Sequence, residues 1–258
     1  MLAMTGNPFK PAGIALWAAA GAAVLLMSLA GCVTRPGTLE SRTGDEIVVA
    51  GQFFHTGTKV VLWMDPGGYD AYRVERRFSA FTNSDWTHSQ AADANLETPN
   101  RYDLRKGLTP DEVERVRGGG WDLPTLQKYV DQFVLHYDEA GVSRTCFKIL
   151  QDSRGLSVHF MLDLDGTIYQ TLDLKERAWH ATTSNSRSVG VEIANMGAYE
   201  VGGENPFADW YQPVTNGPTL LTIPARYGPD PEHTPNFVGH PARPGPVRGV
   251  VQGQSLEQ

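Results

Sequence analysis

The chain has 258 residues, 41% of them apolar and 20% charged, which suits one domain of moderate size with appendages. Its formal net charge of −7 offers no basic surface, so nucleic acid is excluded as an expected partner. Two cysteines, one of them in a special N-terminal position, rule out a disulfide framework within a mature chain.

Lys10 supplies a weakly positive start, and the run from Ile14 to Leu29 is almost wholly apolar and uncharged. It closes on Leu29-Ala30-Gly31-Cys32, small residues of the kind a signal peptidase needs at its cut. A cysteine after Leu-Ala-Gly resembles the bacterial lipobox, so Cys32 is the expected lipidation site and residues 1–31 the expected lipoprotein signal peptide. The competing reading is a plain transmembrane anchor. Both export the rest of the chain. Val33 stands where an Asp would suggest retention in the inner membrane, and by resemblance to Gram-negative lipoproteins the expected location is the outer membrane, facing the periplasm.

Residues 32–45 are small and polar and read as a tether, followed by an N-terminal extension over 46–120. Ile47 to Phe54 and Lys59 to Met64, separated by His55-Thr56-Gly57-Thr58, give a hairpin signal, and Asp65-Pro66-Gly67-Gly68 a turn. Asn83 to Asn100 reads as loop. Thr109-Pro110-Asp111-Glu112 predicts a helix start, with a capping threonine, a proline where no amide hydrogen bond is lost and a Glu three residues on. Gly118-Gly119-Gly120 ends that helix, and a second is expected over Leu123 to Gln132.

From 121 to 204 the pattern is that of a core. A strand ends in Val134-Leu135-His136-Tyr137-Asp138, and a helix capped by Ser143 runs to Gln151 with Cys146 as a buried apolar residue. Strands follow at Ser157 to Asp163 and Thr167 to Leu172 around a tight Asp165-Gly166 turn, then at Ser188 to Asn195. Helices mixed with strands predict an α/β or α+β domain with a mixed, mostly buried sheet. Most of the 17 prolines lie beyond Asn205, and residues 205–258 read as a proline-rich insert or tail without lasting periodicity.

His136, His159, His180 and Glu192 sit in or beside short apolar strands, where they are costly to bury unless something is bound. Four segments occur in order: the strand ending at His136, Ser157-Val158-His159-Phe160 leading to Asp165-Gly166-Thr167, Ala178-Trp179-His180 and Gly190-Val191-Glu192. Together they resemble the zinc-dependent N-acetylmuramoyl-L-alanine amidases, the group that includes the peptidoglycan recognition proteins. The resemblance implies an α/β fold with a mixed central sheet flanked by helices, a Zn2+ cofactor, and peptidoglycan or muropeptides as substrate. It makes His136 the first zinc ligand, since zinc needs a neutral imidazole on a rigid element. Glu192 becomes the general base, its pKa raised by apolar surroundings. His180 lines the substrate cleft, and His159 and Asn195 are further substrate-binding candidates, each with a structural role open beside it: a hydrogen bond within the sheet for His159, a turn for Asn195. Val158 stands where relatives often carry Tyr, which leaves the proton chemistry to Glu192.

The resemblance is incomplete. The family continues with a long helix, a Gly-His strand end and a loop bearing Asp or Cys, which complete the metal site. Here Phe237-Val238-Gly239-His240-Pro241 offers a Gly-His with no Asp or Cys after it, so His240 is a doubtful ligand. Either the sequence is a shortened version of a longer amidase, with its fold incomplete at the C-terminus, or a divergent domain builds its metal site from His136 with His180 or His159, or holds none. The expected function is hydrolysis of the amide between N-acetylmuramic acid and L-alanine by a monomeric, lipid-anchored enzyme. The alternatives are a non-catalytic peptidoglycan-binding lipoprotein and a plain structural lipoprotein. His55, His88 and His233 are expected on the surface or in loops.

Overall fold

Short β-branched and aromatic runs form the strands of a computed structural model that describes residues 41–73, 101–225, 238–239 and 248–257. The signal segment with Cys32, the loop expected up to Asn100, and His88, His233 and His240 lie outside the described residues. Residues Arg42–Gln258 form one compact unit, which contains every strand and helix of the described residues.

Three strands come first: β1 (Glu46–Val49), β2 (Gln52–His55) and β3 (Val60–Leu62). The hairpin expected between the runs Ile47 to Phe54 and Lys59 to Met64 is not formed; the first run folds back on itself instead. β1 pairs with β2, with Val49 opposite Gln52, whereas β3 leaves to run parallel to a strand near residue 169. The turn is Ala50-Gly51, both at positive φ (52° and 77°), the conformation that suits a two-residue hairpin. Alanine is an unusual occupant there. The Asp173 carboxylate, distant in sequence, holds the turn by accepting from both of its amides (2.8 and 2.7 Å).

After β4 (Tyr102–Asp103) come helices α1 (Pro110–Arg117) and α2 (Leu123–Tyr129). Thr109 and Glu112 form the anticipated capping box. α2 ends before Gln132, because that residue already belongs to β5 (Gln132–Tyr137). α3 (Ser143–Lys148) continues as one π-helical turn, Ile149–Arg154, which Gly155 stops at a left-handed φ of 62°.

β6 (Phe160–Leu162), β7 (Ile168–Gln170), β8 (Arg177–Ala178) and β9 (Ser188–Ile193) complete the core. The central sheet has the order β3-β7-β6-β9-β5. Only β6 and β7 pair antiparallel; the other contacts are parallel. This is the mixed sheet that the sequence predicts. Residues 60–62, expected in an N-terminal extension, supply one of its edges.

Alternation along β5 and β9 sorts side chains onto two faces. Register partners share a face, so His136, Glu192 and Met161 lie together, and Phe133, Leu135 and Tyr137 lie opposite with Val189, Val191 and Ile193. The first face is covered by α3 and the π-turn, through Cys146, Phe147 and Leu150 packed with Met161 and Tyr169. Cys146 is buried there, as expected of a small apolar residue.

The region beyond Asn205 is more structured than its proline content predicts. α4 (Phe207–Trp210) and the short strands β11 (Tyr211–Gln212) and β12 (Leu220–Thr222) place Trp210 and Leu221 against Val142 and Met196. Trp210 is only 1% exposed, and a Cβ on Gly141 would come within 2.4 Å of its ring. β12 pairs with β13 (Val238–Gly239). β10 (Tyr199–Glu200), β14 (Arg248–Val251) and β15 (Gln254–Glu257) form a further three-stranded sheet. Aromatic anchors in a cluster separate from the main core explain why no local period reveals this.

Candidate active site

β5 and β9 run parallel with His136 and Glu192 as direct register partners. Their side chains enter a cleft of about 220 Å³, walled by Asp138, Glu139, Cys146, Ile149, Leu150, Arg154 and His180. The π-turn supplies Ile149, Leu150 and Arg154, so widening the end of that helix sets one side of the cleft.

The titration behaviour follows from the surroundings. Burial, with Asp138 adding a negative charge nearby, raises the Glu192 carboxyl to about 7, while Arg154 acts in the opposite sense. Asp138 is itself pushed up to about 6 by burial, although its Oδ1 accepts from the amides of Ala140, Gly141 and Asn195. Its Oδ2 is buried without a hydrogen-bond partner among the described residues. Burial lowers His136, and lowers His180 to about 4 with help from His136 and Arg105. Both imidazoles are therefore neutral at neutral pH, the form a metal requires. Two acids that titrate near neutrality beside two neutral bases can exchange protons with a bound reactant.

His136 Nε2 lies 3.0 Å from His180 Nδ1, with the rings perpendicular, and His180 Nε2 lies 3.2 Å from Ser188 Oγ. Gly190 makes this packing possible: a Cβ there would stand 2.5 Å from the His180 ring. The glycine of Gly190-Val191-Glu192 thus clears space for His180 two residues before the carboxylate.

The other two substrate-binding candidates are corrected. His159 has no exposed surface: Nδ1 accepts from the Gly190 amide (3.1 Å) and Nε2 donates to the Glu176 carbonyl (3.0 Å). With both ring nitrogens used and its pKa pushed down to about 3 by burial and by Arg105, it is a neutral tie between strands and cannot reach a ligand. Asn195 closes a turn, donating to the Ile193 carbonyl and accepting from the Gly197 amide. Sequence reasoning missed Asp138, Arg105 and Ser188, whose roles depend on which distant segments meet. The carboxylate ending the His136-Tyr137-Asp138 strand was the one local signal.

Asp45, Glu46 and His55 bring potential metal-ligating atoms within 4.8 Å of one another. These atoms are already used within their own turn. Asp45 accepts from Thr43, His55 and the Gly57 amide, and Glu46 accepts from the amides of Thr43 and Gly44. Hydrogen bonding holds both carboxyls down at about 2, and His55 is raised by Asp45. The group fastens the start of the β1–β2 hairpin, and His55 is exposed, as expected.

The mixed sheet thus brings a carboxyl raised toward neutrality and neutral imidazoles into one cleft, groups able to exchange protons. Residues 126–251, which contain the whole cleft, match the family model described as N-acetylmuramoyl-L-alanine amidase. No curated protein matches the chain.

Proposed function

We propose that the chain is a peptidoglycan hydrolase that cleaves the amide between the lactyl group of N-acetylmuramic acid and the L-alanine of the stem peptide. The observation that carries this reading is the pairing of Glu192, raised to about 7, with His136 on the next strand, inside the family-matched segment. At neutral pH a carboxyl with that pKa takes a proton from attacking water and returns it to the leaving amine.

His136 offers a zinc ion one donor: it is neutral, and its Nδ1 has no hydrogen bond among the described residues. No third His, Cys or carboxylate group converges with His136 and His180 among those residues as closely as Asp45, Glu46 and His55 converge. A bound zinc ion would supply Lewis acidity, polarising the scissile carbonyl and acidifying water. His180 forms the cleft wall beside the reacting centre. In this reading Cys32 carries the lipid that holds a monomer in the outer membrane facing the periplasm, the compartment of the wall substrate.

Zinc content and muropeptide release in wild type, His136→Ala and Glu192→Ala test the proposal. His136→Ala is expected to lose both; Glu192→Ala keeps zinc and loses release by a factor of about 10² to 10⁴. Full activity in both variants refutes it. The sparse donor set favours one second reading, a lipoprotein that binds muropeptides without turnover, which zinc-independent binding with no release by the wild type would select.

A further inference from the structure

The hairpin at the start of the domain carries aromatic surface that no described residue covers. β1 is anchored: Val48 and Val49 are buried, Gln170 bonds both backbone groups of Val48, and Asp173 holds the turn. β2 is not. All four of its residues, Gln52-Phe53-Phe54-His55, are exposed, and among the described residues it pairs with β1 alone. Successive side chains point to opposite faces of a strand, so the rings of Phe53 and Phe54 flank its free edge on both sides. They are 52% and 36% exposed, and Met64, next to the Asp65 that Arg42 grips, is 57% exposed. Single exposed apolar side chains are ordinary, but two adjacent rings on a strand exposed along its whole length call for a partner.

The chain enters the domain at this spot. Arg42 makes a two-pronged ion pair with Asp65 (2.8 and 2.7 Å), and its guanidinium lies 5.8 Å from the centre of the Phe53 ring. Only residues 33–41 separate Arg42 from Cys32. Such a segment reaches at most about 35 Å fully extended, and averages about 17 Å as a flexible chain. Lipid on Cys32 therefore keeps Phe53 close to the bilayer it enters. The local charges do not oppose contact. Asp65 is taken by Arg42, Asp45 by Thr43, His55 and the Gly57 amide, and Glu46 by the amides of Thr43 and Gly44, while Lys59 is exposed. No carboxylate of this segment loses its last partner when the rings leave water.

We propose that Phe53 and Phe54 dock the domain on the bilayer that holds the Cys32 lipid, so that it takes one orientation on the membrane instead of swinging on its tether. The inference rests on the reading of Cys32 as a lipid anchor. The strand itself sets the depth. Its free edge carries backbone groups that hydrocarbon would leave unpaired, so the rings stop in the hydrated headgroup layer. At roughly 200 Å² for a whole phenylalanine, the exposed fractions leave about 180 Å² of the two residues in water. Even a third of the transfer free energy of that area favours contact about tenfold.

The test uses the full acylated chain on vesicles of phosphatidylethanolamine with phosphatidylglycerol. A nitroxide is placed on Gln52→Cys, beside the rings, or on Lys148→Cys, exposed on α3, as the reference. Cys146 is buried and Cys32 acylated, so neither takes the label. Electron paramagnetic resonance then reads collisions of each label with a water-soluble nickel chelate. Docking expects collisions at position 52 several-fold below those at position 148. Phe53→Ser combined with Phe54→Ser should bring the two positions level, with circular dichroism and the acyl mass on Cys32 unchanged. Phe53→Leu combined with Phe54→Leu keeps the apolar surface and should keep the protection. Equal collisions in an acylated wild type, or protection that survives the serine pair, overturns docking and leaves the anchor standing. Protection that appears only as the protein-to-lipid ratio rises overturns it in favour of contact between copies. A chain that carries no acyl group and does not float with the vesicles sinks anchor and docking together. Muropeptide release, assayed separately, judges the amidase reading.

Discussion

Replacing Glu192 by Gln is expected to stabilise the protein at alkaline pH while removing its proton chemistry. Burial and the Asp138 charge move this carboxyl from 4.5 to about 7. The sign follows from linkage. Below pH 4.5 the group is protonated in both folded and unfolded chains and contributes nothing. Between 4.5 and about 7 the unfolded chain ionises while the folded one resists, so stability falls as pH rises, and above 7 the full penalty is present. At about 1.4 kcal/mol per unit the gross penalty is about 3 kcal/mol. The side chain is only part-buried, so solvent screening reduces this to about 2 kcal/mol. Glutamine has nearly the same shape and no charge. The variant should match wild type at pH 4 and exceed it at pH 8 by about 4–8 °C in Tm, the span about 2 kcal/mol gives for a domain of this size. Thermal melts at pH 4, 6 and 8 in the presence of a chelator, which removes any cation stabilising the carboxylate, decide the matter. An equal Tm at pH 8, or the same difference at pH 4, refutes the assignment of Glu192 as a part-buried acid near neutrality.

Three further outcomes are expected. Gly190→Ala drives a methyl to within 2.5 Å of the His180 ring, so kcat/KM for muropeptide release should fall about 100-fold with circular dichroism unchanged; wild-type turnover would show that His180 need not stay where it is. Asp138→Asn removes a like charge beside Glu192, so the acid limb of the rate profile should move to lower pH, and a profile that stays put or moves up contradicts the coupling. Gln170 bonds both the amide and the carbonyl of Val48 (2.7 Å each), so Gln170→Ala leaves two buried backbone groups unpaired and should cost about 3 kcal/mol, read as a lower urea midpoint at unchanged slope.

Much of the central domain was legible residue by residue. The capping box at Thr109, the Asp165-Gly166 turn and the strands around His136 and Glu192 are signalled within a few neighbours, and the structure has them in place. The hairpin partners of Ile47 to Phe54 were misread because an Ala-Gly turn gives little local signal, and Asp173 stabilises it from far along the chain. The packing of Trp210 under Gly141 was hidden for a similar reason: a cluster built from separated loops has no period.

By itself the sequence determined where the core strands around His136, Phe160, Ile168 and Glu192 form, that an imidazole and a carboxylate sit on two of them, and which family the segment resembles, since all three depend on local alternation and short motifs. Only the tertiary structure decided which histidine does what. His159 and His180 look alike as residues beside apolar strands, yet one is sealed by a backbone amide and a carbonyl and the other opens onto the cleft. The difference arises because burial and hydrogen-bond partners belong to the meeting of distant segments. Arg105 and Ser188 acquire their importance in the same way, Arg105 from the carbonyls of Leu174, Ser186 and Ser188 and Ser188 from the His180 ring, which folding brings within about 3 Å of them, a hydrogen-bonding distance.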